Sequence, residues 1–384
     1  MISSILILVV AFLSLIALMI IHEFGHFIIA KKFGVRVDEF GIGYPPRMFG
    51  KKIGETIYSV NWIPLGAFVR IYGEEGGVDD LRSFQNLKIW QRVLIVIGGV
   101  AAFWIAAIIL FSVVFALGTD LPIQDEQNVD GLTNVQVKIV SVSAGSPASV
   151  AGLKIGDTIS GAYELSPDSK VQPVEVKINK IQDFKDFTKN NAGNPIELII
   201  ERSGKRIETS LTPRVNPPAG EGATGVGLER MATLIKQYPW YEAPIQGAIY
   251  TWQTTVNSLK GLYQVFSSLF AGKGAPQGAE FAGPIGITVF LANAASYGLG
   301  FFLYFVGIIS VLVAVFNLFP IPALDGGKLI FLIIEKIKGK PISSKIEQRI
   351  TVVFFAVLIC LSLYITVRYD FPRILDYLKS SLQR

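Results

Sequence analysis

The stretch IIHEFGH, Ile20 to His26, closes an apolar run that starts at Met1, and it puts two histidines and a glutamate where a bilayer-spanning helix should be. Ionisable groups at membrane depth are costly and are kept chiefly where they do chemistry. Whatever satisfies them must come from elsewhere in the chain.

The chain has 384 residues, 51% of them hydrophobic and 17% charged, which is the composition of a membrane protein. Its apolar residues gather in four long runs, at 1–21, 93–118, 298–334 (with polar interruptions) and 350–367. Each can supply the ~20 residues that cross ~30 Å of hydrocarbon. The expected fold class is therefore a polytopic α-helical membrane protein with about four transmembrane helices. A cleavable signal peptide would need a basic start and a small-residue cleavage site, and neither the opening MISS nor the residues before HEFGH provide them. Cys360, the single cysteine, excludes an intrachain disulfide framework and reads as a small buried apolar residue.

The net charge of +5 does not come from one basic stripe, so no nucleic-acid partner is expected. The basic residues read instead as topology determinants. Residues 31–92 carry ten Lys and Arg, the connection 335–349 carries five more, and 119–130 is acidic only. The positive-inside rule then puts 31–92 and 335–349 in the cytoplasm, and the N-terminus and 119 to about 297 outside a cell membrane.

Residues 53–73, IGETIYSVNWIPLGAFVRIYG, alternate polar and apolar with Pro64-Leu65-Gly66 at their middle. They are expected to form a β-hairpin lying against the membrane core. Residues 131–213 turn to short β-type runs broken by Gly, Pro and Asn, and contain SPASVAGLKIGDTI (146–159). That pattern resembles a PDZ domain, whose open sheet edge accepts an extended peptide or a chain terminus. Residues 214–242 read as a linker, and 243–270 as an amphipathic helix at the outer membrane surface, in contact with lipid. The expected domains are an N-terminal membrane core (1–118), the PDZ-like domain (131–213), a linker with the amphipathic helix (214–297) and a C-terminal membrane core (298–384).

The two histidines of the chain, His22 and His26, stand four residues apart with Glu23 between them. On a helix, i and i+4 share a face, so both imidazoles can reach one zinc while Glu23 points at its open position. A zinc-activated water attacking a carbonyl would give its proton to that carboxylate. The competing readings are a helix with satisfied polar groups or a metal site without chemistry. A catalytic zinc takes three protein ligands, and no third histidine exists. The one acid within the third apolar run is Asp325, in NLFPIPALDGGKLIFLII, where Pro320, Pro322, Gly326 and Gly327 break the helix. Such irregular backbone is tolerated in hydrocarbon only where protein buries it or it lines a wet cavity. The competing role for Asp325 is to cap the helix that follows it.

HEFGH in the first helix, NLFPIPALDGG in a later one, and a PDZ-like domain between them make the chain similar to the bacterial site-2 protease family of intramembrane zinc metalloproteases. The resemblance covers nearly the whole chain. It implies that His22, His26 and Asp325 are zinc ligands, that Glu23 is the catalytic base, and that Asn317 holds the substrate backbone. It also matches the membrane-associated hairpin to 53–73 and a segment before the third core helix to GPIGI, 283–287. Two departures stand out. Where relatives carry a Gly-Pro-x-x-Asn element this chain has GGVAAFW (98–104), and it has one PDZ-like domain where some relatives have two.

The function so implied is cleavage of single-pass membrane proteins within their transmembrane helices, such as anti-sigma factors or remnant signal peptides, with the PDZ-like domain admitting substrates already trimmed by an upstream site-1-type protease. Two other classes compete. A membrane adaptor using the PDZ-like groove with a vestigial metal site would bind zinc without cutting. A metal transporter with His22, His26 and Asp325 as a transit site would need further intramembrane acids or histidines that the runs lack.

Overall fold

Proline-free and rich in Leu and Ile, the first apolar run forms one helix, α1 (Ile2–Lys32), in a computed structural model of the chain. The residues described are 2–74, 80–118, 120–123, 132–143, 145–164, 175–202, 204–218, 221–234, 238–272, 282–296 and 298–382. They fall into two units: Met1–Val113, Trp240–Ala295 and Phe302–Arg384 in one, Val114–Pro239 and Ser296–Phe301 in the other. Helix α1 ends where Gly34 takes φ +76, with Val35 N donating to Ala30 O and Gly34 N to Lys31 O, both at 3.0 Å. This pairing satisfies the last carbonyls, and Lys31 and Lys32 in the last turn suit its negative end.

Two long strands follow, β1 (Val37–Ile53) and β2 (Thr56–Ile71), joined by a two-residue turn in which Gly54 has φ +63. The expected hairpin within 53–73 is corrected here. The chain does bend at Gly66, φ +100, but the two halves of β2 do not pair with each other. One half runs antiparallel to β1 from Val37↔Ile71 to Ile42↔Ala67. The other lies on the far side of the same β1 residues, Glu39↔Ile57 through Ile42↔Val60, and also pairs with the outer half of β1, Arg47↔Asn61 to Ile53↔Thr56. Residues 37–42 thus separate the two halves of β2. The alternation of 53–73 was read correctly as strand, but its partner precedes it and cannot be seen in that window. Glu39, buried beneath this sheet, receives hydrogen bonds from Ser59 Oγ (2.6 Å) and Arg47 Nη2 (2.8 Å). Burial works to raise its carboxyl, but those bonds and the Arg47 and Arg70 charges hold it below the usual carboxylate range.

Helix α2 spans Ile89–Leu117. The second unit is built on a sheet of β3 (Asp120–Pro122), β4 (Leu132–Val142), β5 (Thr158–Glu164), β6 (Val176–Lys177), β7 (Ile196–Arg202), β8 (Lys205–Leu211) and β9 (Val226–Leu234). Its order is β3-β9-β4-β5-β7-β8, with β6 against β5, and two helices accompany it, α3 (Pro147–Val150) and α4 (Ile181–Asn190). The core gathers Ile139, Ile159, Phe184, Ile196, Leu198 and Ile200, among others. Residues 214–242, expected as a linker, contain β9, which lies between β3 and β4. Flanking Pro, Gly and Ala hid that strand, and one of its most buried positions is Arg230, whose Nε donates to Asn179 O. Of the acidic residues expected outside, Asp125, Glu126 and Asp130 lie outside the described residues.

The remaining helices are α5 (Ala243–Phe270), α6 (Pro284–Ser296), α7 (Leu299–Asn317), α8 (Asp325–Lys338), α9 (Ser344–Ile365) and α10 (Phe371–Leu382), the last two joined through a π-helical turn at Thr366–Asp370. Among the described residues four helical stretches are long and apolar enough to cross a bilayer: Ile5–Lys32, Ile89–Leu117, Leu299–Asn317 and Ser344–Leu375. Cys360, expected to be buried, is exposed on α9. A helix that meets hydrocarbon need not bury its apolar residues in protein, so the soluble-protein expectation fails there. Gly283 of the GPIGI segment donates its N–H to the buried Asp370 at 3.0 Å.

In the β unit, the sequence LKIGDTI makes a specific anchor. Gly156 has φ +94, and Asp157, 1% exposed, takes Lys154 N (2.8 Å) and two bonds of 2.6 Å from Arg202. Asp157→Ala should cost this unit about 3 kcal/mol, at the lower end for a buried pair because Arg202 keeps access to water. Hydrogen exchange of β5 and β7 amides in the full chain should then speed up by about a hundredfold.

Candidate metal centre

His22 and His26 lie in the last three turns of α1, where a helical period brings both rings to the side that faces α2. Two glycines allow the helices to touch there: a Cβ on Gly25 would sit 2.2 Å from Gly98 O, and one on Gly98 would sit 2.8 Å from Gly25 O. Small residues at such crossings let membrane helices approach backbone to backbone. At this distance α2 orients both histidines. His26 Nδ1 is 2.8 Å from Ile95 O, and since a carbonyl only accepts, Nδ1 carries the proton and Nε2 keeps its lone pair. The His22 ring stacks on Phe103, with centroids 4.6 Å apart. Gly99 leaves the room these rings need, because a Cβ there would lie 2.3 Å from His26 Nε2.

Asp325 is the first residue of α8. The chain between α7 and α8 leaves the helical path at 318–324, and its carbonyls close over the paired glycines that follow the aspartate. A Cβ on Gly326 would be 2.1 Å from Phe319 O, and one on Gly327 would be 2.3 Å from Ile321 O. That contact sets the start of α8 and with it the carboxylate.

The three ligand atoms form a near-regular triangle. His22 Nε2 and His26 Nε2 are 3.2 Å apart, and Asp325 Oδ2 is 3.5 Å from the first and 3.6 Å from the second. A tetrahedral zinc with bonds of about 2.0–2.1 Å separates its ligands by about 3.3 Å, so the spacing fits that ion. Two imidazole nitrogens and a carboxylate oxygen are also a donor set that suits zinc. Asp325 Oδ2 is buried without a hydrogen-bond donor, as an oxygen reserved for a cation would be.

Glu23 stands at the edge of this triangle, with Oε1 4.0 Å from His22 Nε2. Its Oε2 accepts a hydrogen bond from Val69 N at 3.0 Å, so the edge half of β2 fixes its orientation. A cleft of about 500 Å³ runs along the same edge, lined by Phe68 to Glu74 with Asp38, Tyr44 and Pro45. Asn317 is the last residue of α7, and its Nδ2 donates to Val313 O (3.1 Å) rather than to any of the four residues above.

The structure thus brings His22, His26 and Asp325 together, places Glu23 beside them, and leaves Asn317 at the helix break. Several contributors were not read from sequence. Val69 and Ile95 act through backbone atoms, which leave no side-chain signature. The Gly98-Gly99 pair was visible in GGVAAFW, and a paired glycine in an apolar helix is the one signal of a close crossing there.

The profile of Peptidase family M50 matches residues 10–361. A Clostridium perfringens protein named "putative zinc metalloprotease" is 31% identical over 363 residues, covering 93% of this chain and 96% of the relative. One of the same name from Nostoc is 29% identical, covering 92% and 93%. The "regulator of sigma E protease" of Salmonella typhi is 28% identical, covering 93% and 96%.

Gly99→Ala tests the packing around the two rings. The added methyl displaces the His26 imidazole, so zinc affinity, measured by competition with a chelator, should fall at least about tenfold. Thermal stability should fall as well, since overpacking against two buried rings costs about 1–3 kcal/mol while alanine gains about 1 kcal/mol as a helix former.

Proposed function

The chain belongs to peptidase family M50 and is an intramembrane zinc metalloprotease; from that premise we propose that His22, His26 and Asp325 hold the zinc and that Glu23 is the general base. The observation that supports this assignment best is the triangle of 3.2, 3.5 and 3.6 Å with Glu23 next to it. When bound, zinc supplies a Lewis acid that polarises the scissile carbonyl and acidifies a nearby water. Glu23 takes the proton as the water oxygen attacks the carbonyl carbon, then delivers it to the leaving nitrogen as the peptide bond breaks. Its second oxygen stays on Val69 N–H throughout, so the proton moves on the oxygen nearer His22.

The substrates are single-pass membrane proteins, cut within their transmembrane segments. A helical peptide bond is shielded, so the segment must unwind, and each unwound N–H and C=O needs a partner. The edge half of β2 offers such partners beside Glu23, and strand addition along the Phe68–Glu74 cleft would lay an extended segment past the base. Asn317, bordering the break between α7 and α8, would hold a freed backbone group by moving its Nδ2 from Val313 O to the substrate. The complete donor set with its base counts against a vestigial site in an adaptor.

In this reading the N-terminus and the β unit lie outside the cell membrane, and 31–92 and 335–349 in the cytoplasm. The β unit, PDZ-like by its SPASVAGLKIGDTI turn, admits substrates whose ends an upstream protease has trimmed. Helix α5, expected on the outer lipid surface, instead runs beside α7, with Tyr250 Oη 2.6 Å from Tyr304 Oη near one end and Phe266 against Phe319 near the other. The name of the Salmonella relative supports membrane-bound regulators of sigma factors as one substrate class, with remnant signal peptides as the other.

Glu23→Gln should lower the cleavage rate of a purified transmembrane substrate by about 10²–10⁴-fold while zinc content stays at that of the unaltered protein. Asp325→Ala should lose both zinc and activity. Cleavage by Glu23→Gln at the unaltered rate would remove Glu23 from the reaction.

A further inference from the structure

Glu23 on α1 and Asp325 on α8 lie on different elements, and no continuous helix or strand holds the two in register with each other. Glu23 takes its orientation from Val69, on an edge segment paired with β1 on one side only. Asp325 opens a helix that follows the 318–324 break and has no side-chain cap at Leu324. A base and a ligand placed by two separate elements need a tie between those elements.

Lys328 provides one. It lies one turn after Asp325 on the same face of α8 and pairs through Nζ with Glu74 Oε1. Glu74 sits in the turn that follows the edge segment, five residues after Val69. That turn is itself fastened: Glu74 N donates to Ile71 O (3.2 Å), Tyr72 N to Arg36 O (3.0 Å), and Phe84 N to Tyr72 O (2.9 Å). Motion of the turn therefore carries Val69, and motion of α8 carries Asp325. A second ion pair on α8, two turns later, has a different target: Glu335 accepts from Arg92 of α2, with Nη1 2.9 Å from Oε2.

We propose that Glu74 and Lys328 are positioning residues for the hydrolysis, their ion pair setting the distance between the edge segment that orients Glu23 and the helix that carries Asp325. The proposal rests on the reading of Glu23 as base and Asp325 as ligand. The pair is suited to alignment more than to global stability. Its side chains are 40% and 21% exposed, and ion pairs with access to water contribute about 0–1 kcal/mol. Displacing a catalytic group by a fraction of an ångström has a larger effect, on the order of tenfold in rate. Glu74 also lines both the cleft along 68–74 and a small polar cavity shared with Lys328, Arg92, Glu335 and Glu347, so the tie stands where the two cavities meet.

The test uses the full-length purified protein. Lys328→Met and Glu74→Gln should each lower kcat by about tenfold with KM little changed and zinc retained, and the double variant should be no worse than the worse single one. Lys328→Arg should restore the rate. Hydrogen exchange across residues 66–71 should quicken in both single variants but not in Glu335→Gln, which breaks the other ion pair. Unchanged kcat in both variants, additive losses, or a loss that follows zinc content would overturn the proposal. Exchange at 66–71 is read without turnover, so a failure of the Glu23 assignment, seen as full activity of Glu23→Gln, is separable from a failure of the tie.

Discussion

Three candidate ligand atoms from two helices, 3.2 to 3.6 Å apart on largely buried side chains, repel one another when all are deprotonated unless a cation lies among them. The neighbouring structure is arranged to keep those atoms in place. Gly25 and Gly98 bring α1 and α2 into backbone contact, so Ile95 O reaches His26 Nδ1 and Phe103 lies against His22. Gly326 and Gly327 receive the carbonyls of the helix break and fix where α8 begins. At each of these positions a single methyl would meet another atom at under 3 Å.

The same constraint explains why a β-sheet belongs next to a membrane helix. Glu23 cannot be oriented by α1 alone, since its carboxylate needs a donor that α1 does not supply. Val69 N–H provides it from an edge segment, and an edge segment is also where an unwound substrate finds backbone partners. In the proposed mechanism, orientation of the base and capture of the substrate thus fall to one strand. The ion pair of Lys328 with Glu74 connects that strand to the helix of Asp325, which makes the base and the third proposed ligand parts of one mechanical unit.

Legibility in the sequence followed the range of the interactions. His22, Glu23 and His26 were visible because a helical period converts a spacing of four into a shared face. Asp325 was visible because an acid amid prolines and glycines is anomalous in an apolar run. The pairing of β2 was not, since the strand that separates its halves precedes the window in which the alternation is read. Strand β9 was missed for a related reason: its buried Arg230 is satisfied by Asn179 O, fifty-one residues away, and no local pattern reports that bond.

By itself the sequence determined that the chain is apolar enough to cross a bilayer several times, that any His-based metal site is confined to HEFGH, and that Asp325 is the one acid in the third apolar run and so the candidate third ligand. These follow from composition and short periodicities, which depend on residues close in the chain. Only the tertiary structure decided that the three ligand atoms meet at zinc spacing, that Val69 and Ile95 orient Glu23 and His26, and that Glu74 faces Lys328. Those contacts join residues from forty-six to about three hundred positions apart, several through backbone atoms common to every residue type, and they exist only once the helices and the sheet have packed.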